Sequence, residues 1–125
     1  MKFYKCATCG NIIAYAENPK GVPVFCCGKK MEEIVPNTVE ASSEKHLPVL
    51  VSNEGGIVTV SVGSAPHPMT QEHSIRWVAL ETKQGNQRKE LTGTEPTVSF
   101  AMTPGDEPVA AYAYCNLHGL WKTEF

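Results

Sequence analysis

Nowhere in the 125 residues is there a run of about 20 apolar side chains, the length a helix needs to cross a bilayer, so a membrane-spanning helix is excluded. The opening stretch MKFYKCATCG has a cysteine pair where a secretory leader needs an apolar core, and the chain is expected in the cytoplasm. An excess of positive charge is lacking too. Lys and Arg number 11 against 13 Asp and Glu, which leaves no broad basic surface for nucleic acid or anionic lipid. Helical periodicity, internal repeats and low-complexity tracts are absent. Disorder is excluded by a hydrophobic content of 42%, with ten Gly and nine Pro marking a turn-rich globular chain.

The cysteine count is odd, at 5, and cannot pair fully within one chain. A reducing cytosol disfavours disulfides in any case, and metal ligation becomes the leading use. All but one of the cysteines lie within the first 27 residues, whereas all 4 histidines lie from position 46 onward. Two chemistries therefore occupy two segments, with the boundary placed near Pro36: domains at 1–36 and 37–125.

The first segment alternates short apolar runs with turns. Lys2 to Lys5, Asn11 to Ala16 and Val22 to Phe25 read as small β-hairpins between a CATCG knuckle, an Asn18-Pro19-Lys20-Gly21 turn and a CCGKKM knuckle. A segment of about 35 residues falls below the size that folds unaided, so a metal is the expected staple. Residues 32–43, EEIVPNTVEASS, are polar and suit a connector.

Beyond the connector come strand-like runs at Leu47 to Ser52, Ile57 to Gly63, His73 to Thr82, Thr97 to Met102 and Val109 to Cys115. Val58, Val60 and Val62 fall on one face against Thr59 and Ser61, and Ile75 and Trp77 flank Arg76, the period of a strand. The fold class is all-β: a small metal-stapled β module followed by an immunoglobulin-like antiparallel β-sandwich.

Cys6 and Cys9 form a CxxC knuckle closed by Gly10, and Cys26 and Cys27 follow with Gly28 behind them, so four thiolates can meet one tetrahedral ion. Neighbouring side chains on an extended chain diverge, and Cys26 and Cys27 reach one ion only through a distorted turn. Zinc or iron suits such a site. A thioredoxin-type redox pair would need a βαβ context that is missing.

His46 stands in SSEKHLP, His67 and His73 in APHPMTQEH, and Cys115 and His118 in YCNLHGLW. A lone histidine is more often a surface or core residue than a ligand. If all five converge, however, they exceed the four donors of a structural zinc, while a six-coordinate iron keeps one position open for a small molecule. Four neutral imidazoles and one thiolate leave a ferrous site near +1, open to a small anion. Glu44 and Lys45 directly precede His46. Lys45 offers a positive field that would draw in a small anion, and Glu44 a carboxylate for an oxidised metal; an ordinary solvated charge pair is the other reading.

The motifs FYKCATCGN, FCCGKKM, EKHLPV, HPM with HxxxW, and YCNLHGLWK run nearly end to end, and on them the chain resembles the desulfoferrodoxins, two-iron superoxide reductases. The resemblance implies a desulforedoxin-like domain with iron on Cys6, Cys9, Cys26 and Cys27. It further implies a neelaredoxin-like catalytic domain whose iron takes His46, His67, His73 and His118 in a square plane and Cys115 axially, with Glu44 and Lys45 in the roles above. The implied activity is one-electron reduction of superoxide to hydrogen peroxide, a detoxification against oxidative stress. A rubredoxin-type donor and a homodimer are the implied partners. The competing reading is an electron-transfer or zinc-stabilised binding module with incidental histidines.

Overall fold

The protein's computed structural model describes every residue except Asn18. The turn expected at Asn18-Pro19-Lys20-Gly21 begins on that residue and lies outside the described residues. The chain separates into two units, Met1–Val35 and Pro36–Phe125.

In the first unit β1 (Phe3–Lys5), β2 (Ile12–Ala14) and β5 (Glu32–Glu33) form an antiparallel sheet in the order β2-β1-β5, and β3 (Phe25–Cys26) pairs with β4 (Lys29–Lys30). Among its described residues only Phe3, Cys6 and Met31 are buried, too little apolar surface to hold about 35 residues by itself. The expected connector at residues 32–43 is corrected at both ends. Glu32 and Glu33 pair with Lys5 and Tyr4 as an exposed edge strand, which leaves no apolar pattern to read.

The second unit begins with that segment's other half. Asn37, at φ 63, fastens it to β12 (Gly119–Glu124): its Oδ1 accepts from the Lys122 amide at 2.8 Å and its Nδ2 donates to the Lys122 carbonyl at 3.1 Å. A single helical turn, α1 (Ser43–His46), follows. Then come β6 (Pro48–Glu54), β7 (Ile57–Val62), β8 (Ile75–Thr82), β9 (Gly85–Glu90), β10 (Thr97–Ala101) and β11 (Pro108–Cys115). One sheet runs β10-β7-β6 and the other β12-β11-β8-β9, all antiparallel. The three-plus-four arrangement is an immunoglobulin-like sandwich.

The alternation read in β7 points Val58, Val60 and Val62 inward, where they meet Phe100 of β10 and the inner face of the second sheet, Ile75, Val78, Leu80, Ala111, Ala113 and Cys115. Cys115 thus lies at the end of an apolar row rather than in a polar loop. The register also fixes which strand ends lie together. Pro48 pairs with Val62, and Cys115 pairs with both Ile75 and Gly119, so the starts of β6, β8 and β12 and the ends of β7 and β11 share one pole of the sandwich.

Candidate metal centres

Both cysteine knuckles are built by left-handed backbone. At the first, Gly10 at φ 79 closes the turn, and the Cys9 amide points at the Cys6 thiol, 3.5 Å away. At the second, the hairpin loop is the pair Cys27-Gly28, with φ of 55 and 72. Two consecutive positive φ values are the signature of the tight turn that matches strand twist, a place usually taken by Asn-Gly. That turn swings Cys27 back toward Cys26 and resolves the divergence expected of neighbouring side chains. The four sulfurs lie within 4.8 Å of one another. Cys9 to Cys26 is 3.6 Å and Cys26 to Cys27 is 4.0 Å. A tetrahedral ion with bonds of about 2.3 Å to sulfur requires edges of about 3.8 Å, which these distances bracket. The Cys9 amide holds the Cys6 thiol down to about 6, whereas hydrogen bonds with Cys9 and Cys6 push Cys27 up to about 12. A cation is what would let all four ionise together.

At the pole of the sandwich, α1 delivers His46, the β7–β8 connection His67 and His73, the end of β11 Cys115 and the β11–β12 turn His118. His46, His67, His73 and Cys115 present donor atoms within 4.8 Å of one another. His118 joins them through its Nδ1, 3.1 Å from His46 Nε2 and 3.9 Å from Cys115 Sγ. The rings form a closed square. His46–His67, His67–His73, His73–His118 and His46–His118 meet edge to face at 4.6, 4.7, 5.0 and 4.9 Å between centroids, while His46 and His73 lie across the diagonal at 6.4 Å.

Several features of this square fit a bound metal. His46 Nε2 is 3.1 Å from His67 Nε2 as well as from His118 Nδ1, and bonds of about 2.1 Å in a square plane require an edge of about 3.0 Å. His46 Nδ1 donates to the Ser42 carbonyl and His67 Nδ1 to the Pro68 carbonyl, each at 2.7 Å, which fixes the tautomer and leaves Nε2 with its lone pair facing inward. His73 Nε2 is a buried nitrogen with no hydrogen-bond partner, as expected of a donor awaiting an ion. Burial lowers the pKa of His46, His67 (to about 4) and His73, and the Lys45 charge adds to the effect at His46 and His73, so these imidazoles stay neutral and ligand-competent.

Two supporting residues escaped the sequence reading. Trp121 stacks on His46 at 4.9 Å and donates its indole N–H to the His118 carbonyl at 3.0 Å, bracing two imidazoles. Gly63, at φ 86, docks the turn that carries Glu44, Lys45 and His46: its amide reaches the Leu47 carbonyl, and the Ala65 amide the Glu44 carbonyl. A β-carbon at Gly63 would overlap the Ala65 carbonyl oxygen and come within 2.7 Å of that of Lys45. Gly63→Ala is therefore expected to cost about 2–4 kcal/mol by urea unfolding of the metal-loaded protein; a loss below about 1 kcal/mol would mean that the turn is not locked there.

A ring of four imidazoles beside a buried cysteine sulfur, carried by an immunoglobulin-like sandwich in a chain that also holds a four-cysteine cluster, defines a non-haem metalloprotein with two distinct centres. The chain belongs to the desulfoferrodoxin family: the model of the desulfoferrodoxin N-terminal domain matches residues 1–34 and that of desulfoferrodoxin residues 38–124. It is 42% identical to the desulfoferrodoxin of Syntrophotalea carbinolica over 99% of this chain and 96% of that protein. The crystal structure of the superoxide reductase from Treponema pallidum superposes with a TM-score of 0.80 at 41% identity, covering 92% of this chain and 93% of that one. The superoxide reductase (neelaredoxin) from Archaeoglobus fulgidus, in its reduced form, matches 66% of this chain and 89% of its own, with a TM-score of 0.54 at 34% identity. Both donor sets match the iron centres of this family.

Proposed function

We infer that the chain is a superoxide reductase, adding one electron and two protons to superoxide to give hydrogen peroxide. The observation that carries this reading is the square of His46, His67, His73 and His118 closed on one side by the Cys115 thiol, in a family whose solved relatives are superoxide reductases. His46, His67, His73, His118 and Cys115 would hold a ferrous ion, which would supply the electron.

The protein's own groups do the rest. Cys115 sits on the core side, where apolar packing keeps water from the sulfur, and its thiolate charge raises the electron-donating power of the site. Lys45 is exposed on the turn beside His46, and its charge reaches both His46 and His73, which supports a role in drawing the superoxide anion toward the ring. Glu44, exposed on the same turn, would offer a carboxylate to the oxidised ion. Cys6, Cys9, Cys26 and Cys27 would hold the second iron. A rubredoxin-type electron donor, a homodimer and a cytoplasmic setting complete the proposal on the strength of the resemblance. Among the described residues no helix is long and apolar enough to cross a membrane.

Metal analysis and product analysis together test the reading. Iron at both sites, a blue oxidised form, and hydrogen peroxide formed at the expense of an added reductant are expected. Zinc alone with no colour would sink it, and so would dioxygen evolved without any reductant, the mark of a dismutase. Lys45→Ala is expected to lower the bimolecular rate constant by about tenfold at low salt, with the deficit shrinking as ionic strength rises. A rate constant that stays unchanged, as pulse radiolysis would reveal, removes Lys45 from the encounter.

A further inference from the structure

We propose that Asn116 is a positioning residue that fixes the Cys115 sulfur relative to the His73 imidazole, and thereby sets the strength of the sulfur–iron bond. This rests on the reading of both residues as ligands of one iron. Asn116 stands between Cys115 and His118 in the β11–β12 turn. Its side-chain Oδ1 accepts from the Ser74 amide at 2.9 Å, and its Nδ2 donates to the Glu72 carbonyl at 2.8 Å. Its own amide adds a bond to the Ser74 carbonyl at 3.3 Å. The side chain therefore straddles His73, holding the peptide groups on either side of it.

The reason a side chain is needed is visible in the strand register. Tyr114 pairs with Trp77, but Cys115 pairs with Ile75, a shift that marks a bulge where β11 meets the start of β8. The ladder stops there, two residues short of His73, and an irregular ladder end holds its two strands loosely. The Asn116 amide continues the ladder in place of a peptide group, with one acceptor and one donor aimed at the neighbouring chain. On its other side His73 is tied by Thr70, whose amide reaches the His73 carbonyl at 2.9 Å and whose hydroxyl accepts from the His73 amide at 3.1 Å. With Thr70 holding His73 from one side and Asn116 locking it to Cys115 from the other, the sulfur cannot withdraw from the ring of imidazoles without breaking the Asn116 pair.

The test uses the iron-loaded protein and two readouts besides activity: the energy of the thiolate-to-ferric charge-transfer band, and the rate at which a chelator removes iron from the histidine site. Asn116→Ala is expected to move the band and to speed iron loss by about 10–100-fold, the effect of removing an outer partner of a ligand. Asn116→Asp, which keeps the acceptor for Ser74 and loses the donor to Glu72, is expected to fall between the two proteins. If Asn116→Ala does not fold, the Asp variant alone decides. A band and a chelation rate equal to those of the unaltered protein, with only the urea midpoint lowered, would reduce Asn116 to a structural residue and overturn the proposal. An unaltered protein lacking the band would instead overturn the iron–thiolate reading itself.

Discussion

Replacing Cys115 by serine removes the blue ferric–thiolate colour and lowers the rate of superoxide reduction by more than about 100-fold, beyond what loss of an outer-shell partner costs. Cys115 is fully buried at the end of the row Ala111–Ala113–Cys115, so a polarisable sulfur on the apolar core lies beside the ring of imidazoles. A thiol gives up its proton readily to a metal, whereas a serine hydroxyl keeps its own at neutral pH and brings no negative charge. The site becomes more positive by one charge and loses the electron donation that favours transfer to bound oxygen species. The hydroxyl also arrives in a place prepared for sulfur, and an unpartnered polar group there costs about 1–3 kcal/mol. The four imidazoles remain, so metal content should fall far less than activity does. Visible spectra and pulse radiolysis of the same iron-loaded sample separate the two effects. A Ser variant that stays blue, or that reacts at the original rate, refutes the role of the thiolate.

What the amino-acid sequence disclosed about the fold follows from which strands bury a face. β7 alternates cleanly because Val58, Val60 and Val62 all enter the core while Thr59 and Ser61 stay outside. β9, Gly85–Glu90, was invisible because it is a sheet edge made of GNQRKE with no buried side chain, and only its pairing with β8 makes it a strand. β12 was hidden for a different reason: Leu120 and Trp121 are buried next to each other, which breaks the period of two. The turn Ser43–His46 is too short to show a helical period, yet it is what aims His46 inward and leaves Glu44 and Lys45 outside.

The donors were legible as residue types, but their convergence was not, because it depends on strand direction. Spacing in SSEKHLP, APHPMTQEH and YCNLHGLW says nothing of the antiparallel register that gathers those three segments at one pole. Nor does it reveal that His118 turns Nδ1 inward where His46 and His67 turn Nε2, a choice made by the Ser42 and Pro68 carbonyls and by the short reach of the turn after Cys115. Gly63 left a faint trace in the sequence, a glycine directly after an alternating strand, and the close backbones of Ala65 and Lys45, with its φ of 86, explain why it must be one.

Substituting serine for both Cys9 and Cys27 unfolds the first unit and leaves the second standing. These two cysteines are the exposed pair of the cluster, so their replacement opens no cavity, and any loss of structure reports the loss of the metal and not of packing. With Phe3 and Met31 as the large buried side chains of residues 1–35, the unit depends on its ion, whose binding is worth on the order of 10 kcal/mol in small thiolate-stapled modules. Position 27 adds a further push toward unfolding once the ion is lost, because serine there, like cysteine, carries about 1 kcal/mol of strain at φ 55 that the ion otherwise offsets. Amide exchange should show protection lost at Phe3–Lys5 and Ile12–Ala14 and retained at Val58–Val62 and Ala111–Ala113. The inner residues of the second unit come from its own two sheets, so superoxide reduction driven by a small-molecule reductant should stay within about twofold of the original. Protection that persists in the first unit would show that it folds without its metal. A collapse of the reaction with the sandwich intact would instead make the four-cysteine centre a necessary conduit for electrons.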